Sequence, residues 1–247
     1  MQERGRKMPR FFVDYNGGNT ITVTNPDAHH ILHSLRMAVG EEITLTCRGT
    51  DYYCKIEGAT SDEVVCRILS QEENKSEPTI SLTLYQALPK GDKFETIIQK
   101  AVELGATRIV PVLSRRCISR PDEKSFAKKL DRYAKISLEA AKQSGRGTTP
   151  EICPVMSWNE AVKDAVKSDI ALICYENEGG KRFSEMTITG GQSVSLMIGS
   201  EGGFDEEEVA FAEKSGVTPI WLGNRILRCE TAPLAAISII MNISGNM

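Results

Sequence analysis

Two stretches near the end of the chain carry residue types from which a ligand cleft can be made. Gly199-Ser200-Glu201-Gly202-Gly203-Phe204 follows the apolar-alternating run Ser193 to Ile198 and precedes the acids Asp205-Glu206-Glu207-Glu208. Every glycine costs backbone entropy, so this cluster is expected at a tight turn or a close backbone approach. It also exposes N–H and C=O groups, which suits a flat heterocycle or a phosphate. A helix starting at Asp205 would favour an anion at its N-terminus, but the acids already occupy that end, so a phosphate is disfavoured. The plain alternative is a strand-to-helix turn with an aspartate cap. The second stretch, Gly223-Asn224-Arg225-Ile226-Leu227-Arg228-Cys229-Glu230-Thr231-Ala232, again follows a strand signal and brings charged groups to a loop.

Other chemistries fare worse. All three histidines lie in His29-His30-Ile31-Leu32-His33. His29 and His33 share a helical face, but no glutamate of an H-E-x-x-H motif lies between them and no third ligand is evident, so no metal is expected. Gly145-Arg146-Gly147-Thr148-Thr149-Pro150 follows a helix and ends in proline, unlike a dinucleotide loop. Gly180-Lys181 fails as a Walker motif, because Arg182 replaces the Ser/Thr and Tyr175 stands at the first glycine. The seven cysteines are scattered without a C-x-x-C pair and read as reduced, mostly buried side chains.

The elements that would position these loops fall into two groups. Strand signals at Arg10–Val13, Thr20–Val23, Glu42–Thr46, Tyr52–Ile56 and Glu63–Leu69 predict a small β-barrel, interrupted by one helix, Asp27 to Met37. Gln71 to Pro78 has no large apolar side chain and marks a boundary, giving domains 1–76 and 77–247. Beyond it strands alternate with helices: Ile80–Tyr85, helix Asp92–Leu104, Arg108–Leu113, helix Glu123–Gln143, helix Ser157–Val166, Ile170–Tyr175, strand 193–198, helix Asp205–Ser215, Thr218–Leu222 and an apolar helix Leu234–Ile243. That order predicts an α/β domain with a largely parallel sheet, whose ligands gather at the carboxyl ends of the strands. Tyr175-Glu176-Asn177-Glu178 would border such a site or simply cap its strand.

Charge narrows the partners. The net charge is −3, so any nucleic-acid binding must be local. Arg4, Arg6, Lys7 and Arg10 form one basic patch; between Arg115 and Arg146 ten Lys/Arg face four acids, a solvated helix face or an RNA-binding one. No run approaches the roughly 20 apolar residues of a membrane span, and the polar start has no leader-like apolar run, so a cytoplasmic location is expected.

The paired C-terminal motifs, GSEGGF and LGNRILRCETA, resemble the signature of the SPOUT methyltransferases, specifically the small-subunit (16S) ribosomal RNA (uracil-N3)-methyltransferase family, with usual forms GPEGGF and LG-x-RILR-x-ETA. Pro9-Arg10-Phe11-Phe12-Val13 and the segment from His29 to Gly40 resemble the family's N-terminal domain, so the likeness covers the chain from about Met8. Ser200 departs from the usual proline. The resemblance implies a PUA-like β-barrel followed by an α/β domain with a C-terminal trefoil knot, S-adenosylmethionine as cofactor, and a homodimer. It assigns Gly199, Glu201 and Gly202 to one wall of the cofactor pocket and Leu222, Gly223, Ile226, Leu227, Thr231 and Ala232 to the other, with Leu172 counted among them. Arg228 and Glu230 are the catalytic candidates, the first to hold a phosphate or uracil oxygen, the second to orient the loop or accept a proton. Arg10, His30 and Arg36 would meet RNA, with 16S ribosomal RNA or the small subunit as substrate. A non-catalytic RNA-binding assembly factor of the same fold, or an α/β transferase with a phosphorylated ligand, are the competing readings.

Overall fold

The computed structural model describes residues 8–176 and 179–247; Arg4, Arg6, Lys7, Asn177 and Glu178 lie outside the described residues. The chain divides into two compact units, one ending at Glu77 and taking in Ala141–Thr148, the other made of Pro78–Ala140 and Thr149–Met247.

The first unit contains β1 (Arg10–Phe12), β2 (Thr20–Thr24), α1 (Asp27–His29), β3 (Glu42–Cys47), β4 (Thr50–Ala59) and β5 (Glu63–Glu73). Its sheet runs β1-β3-β4-β5-β2, with β1 parallel to β3 and the other pairs antiparallel. Alternation decides which way each strand faces: Ile21 and Val23 of β2 are buried between exposed threonines, and they join Phe11, Ile43, Leu45, Ile56 and Val64 in the core. The helix predicted over Asp27 to Met37 is shorter. It widens into a π turn over His30–Ser34, and Arg36, at φ +55°, takes the left-handed conformation that ends helices while Met37 N–H reaches back to Ile31 O. Ile31 is buried there, with Leu32 and Leu35 packed against the core.

Strand β5 runs on through Gln71, Glu72 and Glu73, because β4 is long enough to offer them Tyr52, Asp51 and Thr50 as partners. The segment Ala141–Thr148 is clipped to this unit by Glu77. That carboxylate accepts from Arg146 Nε at 2.8 Å and NH2 at 2.7 Å, and from the N–H groups of Gly147 and Thr148 at 2.8 and 3.1 Å. Burial disfavours its charge, but these donors outweigh burial and hold its pKa below the ordinary value. The glycine-rich stretch at 145–150 is therefore a structural clip.

The second unit contains β6 (Ser81–Ala87), α2 (Lys93–Glu103), β7 (Arg108–Leu113), α3 (Glu123–Ser144), β8 (Glu151–Ile152), β9 (Met156–Ser157), α4 (Trp158–Ala165), β10 (Ile170–Cys174), β11 (Ser193–Ile198), α5 (Glu206–Lys214), β12 (Thr218–Ile220) and α6 (Ala232–Ile243). Its sheet has the order β12-β10-β11-β6-β7-β8, with β9 also pairing β7, and every pair is parallel. Strands β8 and β9, of two residues each, are too short to show alternation in a sequence. The central strands are near-continuous apolar runs, as burial on both faces requires: β11 is buried from Val194 to Ile198. From β6 the chain passes to β7 on one side, whereas β11 lies on the other, so the switch point lies between β6 and β11. Among the described residues no helix is long and apolar enough to cross a membrane.

Candidate functional site

Strand β11 ends at Ile198, opposite Gln86 of β6, and the next residues turn sharply. Gly203 N–H donates to Ser200 O at 3.0 Å, and Gly203 takes φ +66°, where a side chain is strained. Gly199 is glycine for a different reason: a Cβ there would stand 3.0 Å from the carbonyl carbon and Cα of Gly203. A Cβ on Gly202 would meet Arg116 Cβ at 3.1 Å, and Arg116 NH1 donates to Gly202 O at 3.1 Å. The turn thus needs glycine for its own closure and for a neighbour's approach. The acids beyond it complete a capping box: Asp205 accepts from Glu207 N–H and Glu208 reaches back to Asp205 N–H, each at 3.1 Å. The N-terminal N–H groups of the helix are thereby partnered by its own acids.

The second loop leaves the sheet earlier than predicted. Strand β12 stops at Ile220 because its partner β10 stops at Cys174; Trp221 N–H is then taken by Lys181 O at 2.9 Å, and Leu222 is released into the loop. Gly223 stands at φ +108°. At the far end Thr231 and Ala232 N–H both donate to Arg228 O, at 2.8 and 2.9 Å, and this turn starts α6.

Between the two loops lies a cleft of about 540 Å³. Gly199, Glu201, Leu222, Gly223, Ile226, Leu227, Arg228 and Ala232 line it, so most of the residues assigned from the sequence come together. Tyr175 and Glu176 also border it. Leu172 has none of its surface exposed and sits within the sheet, Gly202 backs onto Arg116, and Thr231 and Glu230 belong to the turn behind the lining. Ile226 is 84% exposed at the rim. Arg228 is exposed, and among the described residues its guanidinium has no hydrogen-bond or ion-pair partner.

Lys93, which the sequence did not single out, joins the loops. Its ammonium lies 3.0 Å from Glu201 Oε1 and 3.3 Å from Glu230 Oε2, with Cys229 Sγ at 3.9 Å. The hydrogen bond to Glu201 raises the Lys93 pKa above its ordinary value. Glu201 also accepts from Lys90 N–H at 3.1 Å. Glu230 accepts from the Cys229 thiol at 3.1 Å, which lowers its pKa with help from Lys93, while burial pushes that thiol up to about 12. Gln86 was missed too: fully buried, it donates to Gly199 O at 3.1 Å and fixes the start of the first turn. Only the Pro89-Lys90-Gly91-Asp92 helix entry could have flagged Lys93, and nothing in the local pattern flags Gln86.

In the first unit, Arg10 donates both terminal nitrogens to Asp51, with NH2 to Oδ2 at 2.8 Å, and NH1 also reaches Thr46 Oγ1 at 2.7 Å. Its guanidinium is held inward. His30 and Arg36 are exposed, and the His30 ring meets Phe11 edge-on at 5.7 Å. The His29 and His33 rings lie tilted against each other, with centroids 4.4 Å apart. Among the described residues no group of three or more His, Cys, Asp or Glu could hold a metal ion.

A family model described as an RNA methyltransferase domain matches residues 75–241. The chain belongs to the RNA methyltransferase family. A second model, the RNA methyltransferase PUA domain, matches residues 23–69 and makes the first unit's sheet PUA-like. Among curated members, the ribosomal RNA small subunit methyltransferase E of Bacillus subtilis is 35% identical, over 94% of this chain and 96% of that one. Among solved members, a methyltransferase E from Neisseria gonorrhoeae bound to S-adenosyl methionine superposes with a TM-score of 0.85 at 34% identity, covering 96% and 98% of the two chains. A putative methyltransferase from Legionella pneumophila, in complex with the same cofactor, gives 0.86 at 30% identity, covering 97% and 99%. The expected α/β fold and methyltransferase class are both met.

Proposed function

We propose that this chain methylates N3 of a specific uridine in 16S ribosomal RNA, using S-adenosylmethionine. One observation carries the proposal: the glycine-rich turn after β11 and the loop after β12, whose strands flank β10 in the sheet, enclose a cleft of about 540 Å³, within the roughly 300–1,000 Å³ usual for small-ligand sites. The lining suits the cofactor. Leu222 and Leu227 offer apolar surface to adenine faces, and the backbone of Gly199 and Gly223 offers donors and acceptors to its edges. When bound, S-adenosylmethionine supplies an electrophilic methyl group.

The residues of the chain then have positioning and charge to provide. Glu201 and Glu230, held by one lysine, keep the walls at a fixed spacing. Arg228, exposed at the cleft without an internal partner among the described residues, holds a uracil oxygen or flanking phosphate and stabilises the negative charge left as N3 loses its proton. Glu230 orients the loop, in keeping with its depressed pKa. His30 and Arg36 serve RNA binding from the PUA-like unit, and Arg10 shapes that surface through Asp51. We assign RNA binding to the N-terminal domain and transfer to the C-terminal one. The knotted threading and the homodimer belong to the same proposal, with the partly exposed side of α6, including Ile239 at 37% exposure, as the surface a second copy covers.

Deleting the gene and measuring N3-methyluridine in ribosomal RNA by mass spectrometry tests the assignment. Loss of the modification is expected, restored by the wild-type gene. An unchanged content would overturn it.

A further inference from the structure

A second groove, of about 440 Å³, lies beside the ends of β7, α4 and α5. Trp158 and Phe211 contribute its aromatic surface, and Phe211 is 37% exposed although it is a large apolar side chain. Trp158 is only 8% exposed, and its indole N–H is buried with no hydrogen-bond acceptor among the described residues. Asn159 is exposed on the same groove, and its amide has no hydrogen-bond partner among the described residues. Arg120 uses NH2 alone, donating to Ser114 O at 2.6 Å and Arg115 O at 2.9 Å.

The charges are already balanced. Arg115 pairs with Asp205 and Glu207, so the groove presents little net field to a phosphate. Aromatic surface, a planar cation and a free amide are groups that read a flat heterocycle by stacking and by its polar edge. The groove also adjoins the cleft. The Trp158 ring packs against Phe204 at 5.0 Å between centroids, and Phe204 lines the cleft on its other side.

We propose that this groove is a nucleobase subsite, which takes an unpaired RNA base near the target nucleotide. The inference rests on the RNA-methylating reading above. Two aromatic rings separate the groove from the cleft, so the base held here is not the one methylated. Its role is register: a strand pinned by one base presents its neighbour to Arg228.

The test uses the full chain carrying Trp221→Phe, which leaves Trp158 as the only tryptophan of the two. Its fluorescence is followed while hexamers of each of the four ribonucleotides, or ribose 5-phosphate, are added. Saturable quenching by at least one hexamer is expected, with little dependence on salt and none with ribose 5-phosphate. Phe211→Ala should weaken that binding about tenfold, as loss of one stacked base does, and Asn159→Ala should change which hexamer binds best. Absence of quenching by every hexamer, equal quenching by ribose 5-phosphate, or full retention in Phe211→Ala would each overturn the proposal. Calorimetric titration of wild type with S-adenosylmethionine is run in parallel. Donor binding without hexamer quenching would sink the subsite and leave the proposed reaction standing, whereas loss of both would sink the reaction reading too.

Discussion

Replacing Gly199 with alanine tests whether the first turn is a wall of the donor site. The added Cβ would stand 3.0 Å from two backbone carbons of Gly203 and 3.3 Å from its oxygen, against an optimum of roughly 3.5–4.0 Å between carbons. Backbone cannot rotate out of the way as a side-chain tip can. Nor can the turn slide freely, since Gly199 O is held by Gln86 and Ser200 O by Gly203 N–H. Relief therefore requires the turn to open by several tenths of an ångström, at a cost of about 1–3 kcal/mol. If that displacement is borne by the bound state, the donor dissociation constant rises about 5- to 150-fold. Isothermal titration with S-adenosylmethionine reads it directly, and urea unfolding of the free variant separates lost binding from lost stability. Gly202→Ala is the control, because its Cβ would crowd one atom, Arg116 Cβ at 3.1 Å, with the next at 3.5 Å, against two at 3.0 Å for Gly199, and it should weaken binding less. A folded Gly199→Ala protein that binds donor as tightly as wild type would refute the placement of the turn.

Three further outcomes follow from the same geometry. Arg228→Ala should lower kcat on the order of a hundredfold with little change in donor affinity, checked by single-turnover kinetics beside calorimetry; equal losses in both would make Arg228 a cofactor residue. Lys93→Met should weaken donor binding at low salt and Lys93→Arg should restore much of it, since the lysine joins Glu201 to Glu230; a Met variant that binds as wild type at low salt would argue against the clasp. Asp164 should make stability pH-dependent. Burial disfavours its charge, but hydrogen bonds from Arg108, Lys167 and Tyr85 outweigh burial and hold its pKa at about 2. A depressed carboxylate stabilises the fold above its unfolded value and loses that contribution as pH falls towards the folded one. Urea unfolding of Asp164→Asn should therefore show a deficit of about 2 kcal/mol at neutral pH that narrows between roughly pH 4 and 2; a deficit independent of pH would refute the ionic origin.

The sequence by itself determined most of the longer elements and the position of the two loops. Alternation in Thr20 to Thr24 sets which residues of that strand face the core, the run from Val194 to Ile198, apolar but for Ser195, marks a strand buried on both faces, and Asp205 with Glu208 writes a helix start that needs no partner elsewhere. These are local signals, carried by side-chain period and by capping chemistry within a few residues. The cleft's glycines were legible as glycines, but their separate reasons were not. Only the tertiary structure decided that Gly199 must admit Gly203, that Gly202 must admit Arg116, and that strand β12 must end where β10 stops offering hydrogen bonds. It alone placed Lys93 between carboxylates 108 and 137 positions further along the chain, turned Arg10 inward onto Asp51, and set Trp158 against Phe204. Contacts at such separations depend on how strands are ordered in a sheet, and strand order is fixed by the combined burial of all the elements rather than by any one segment.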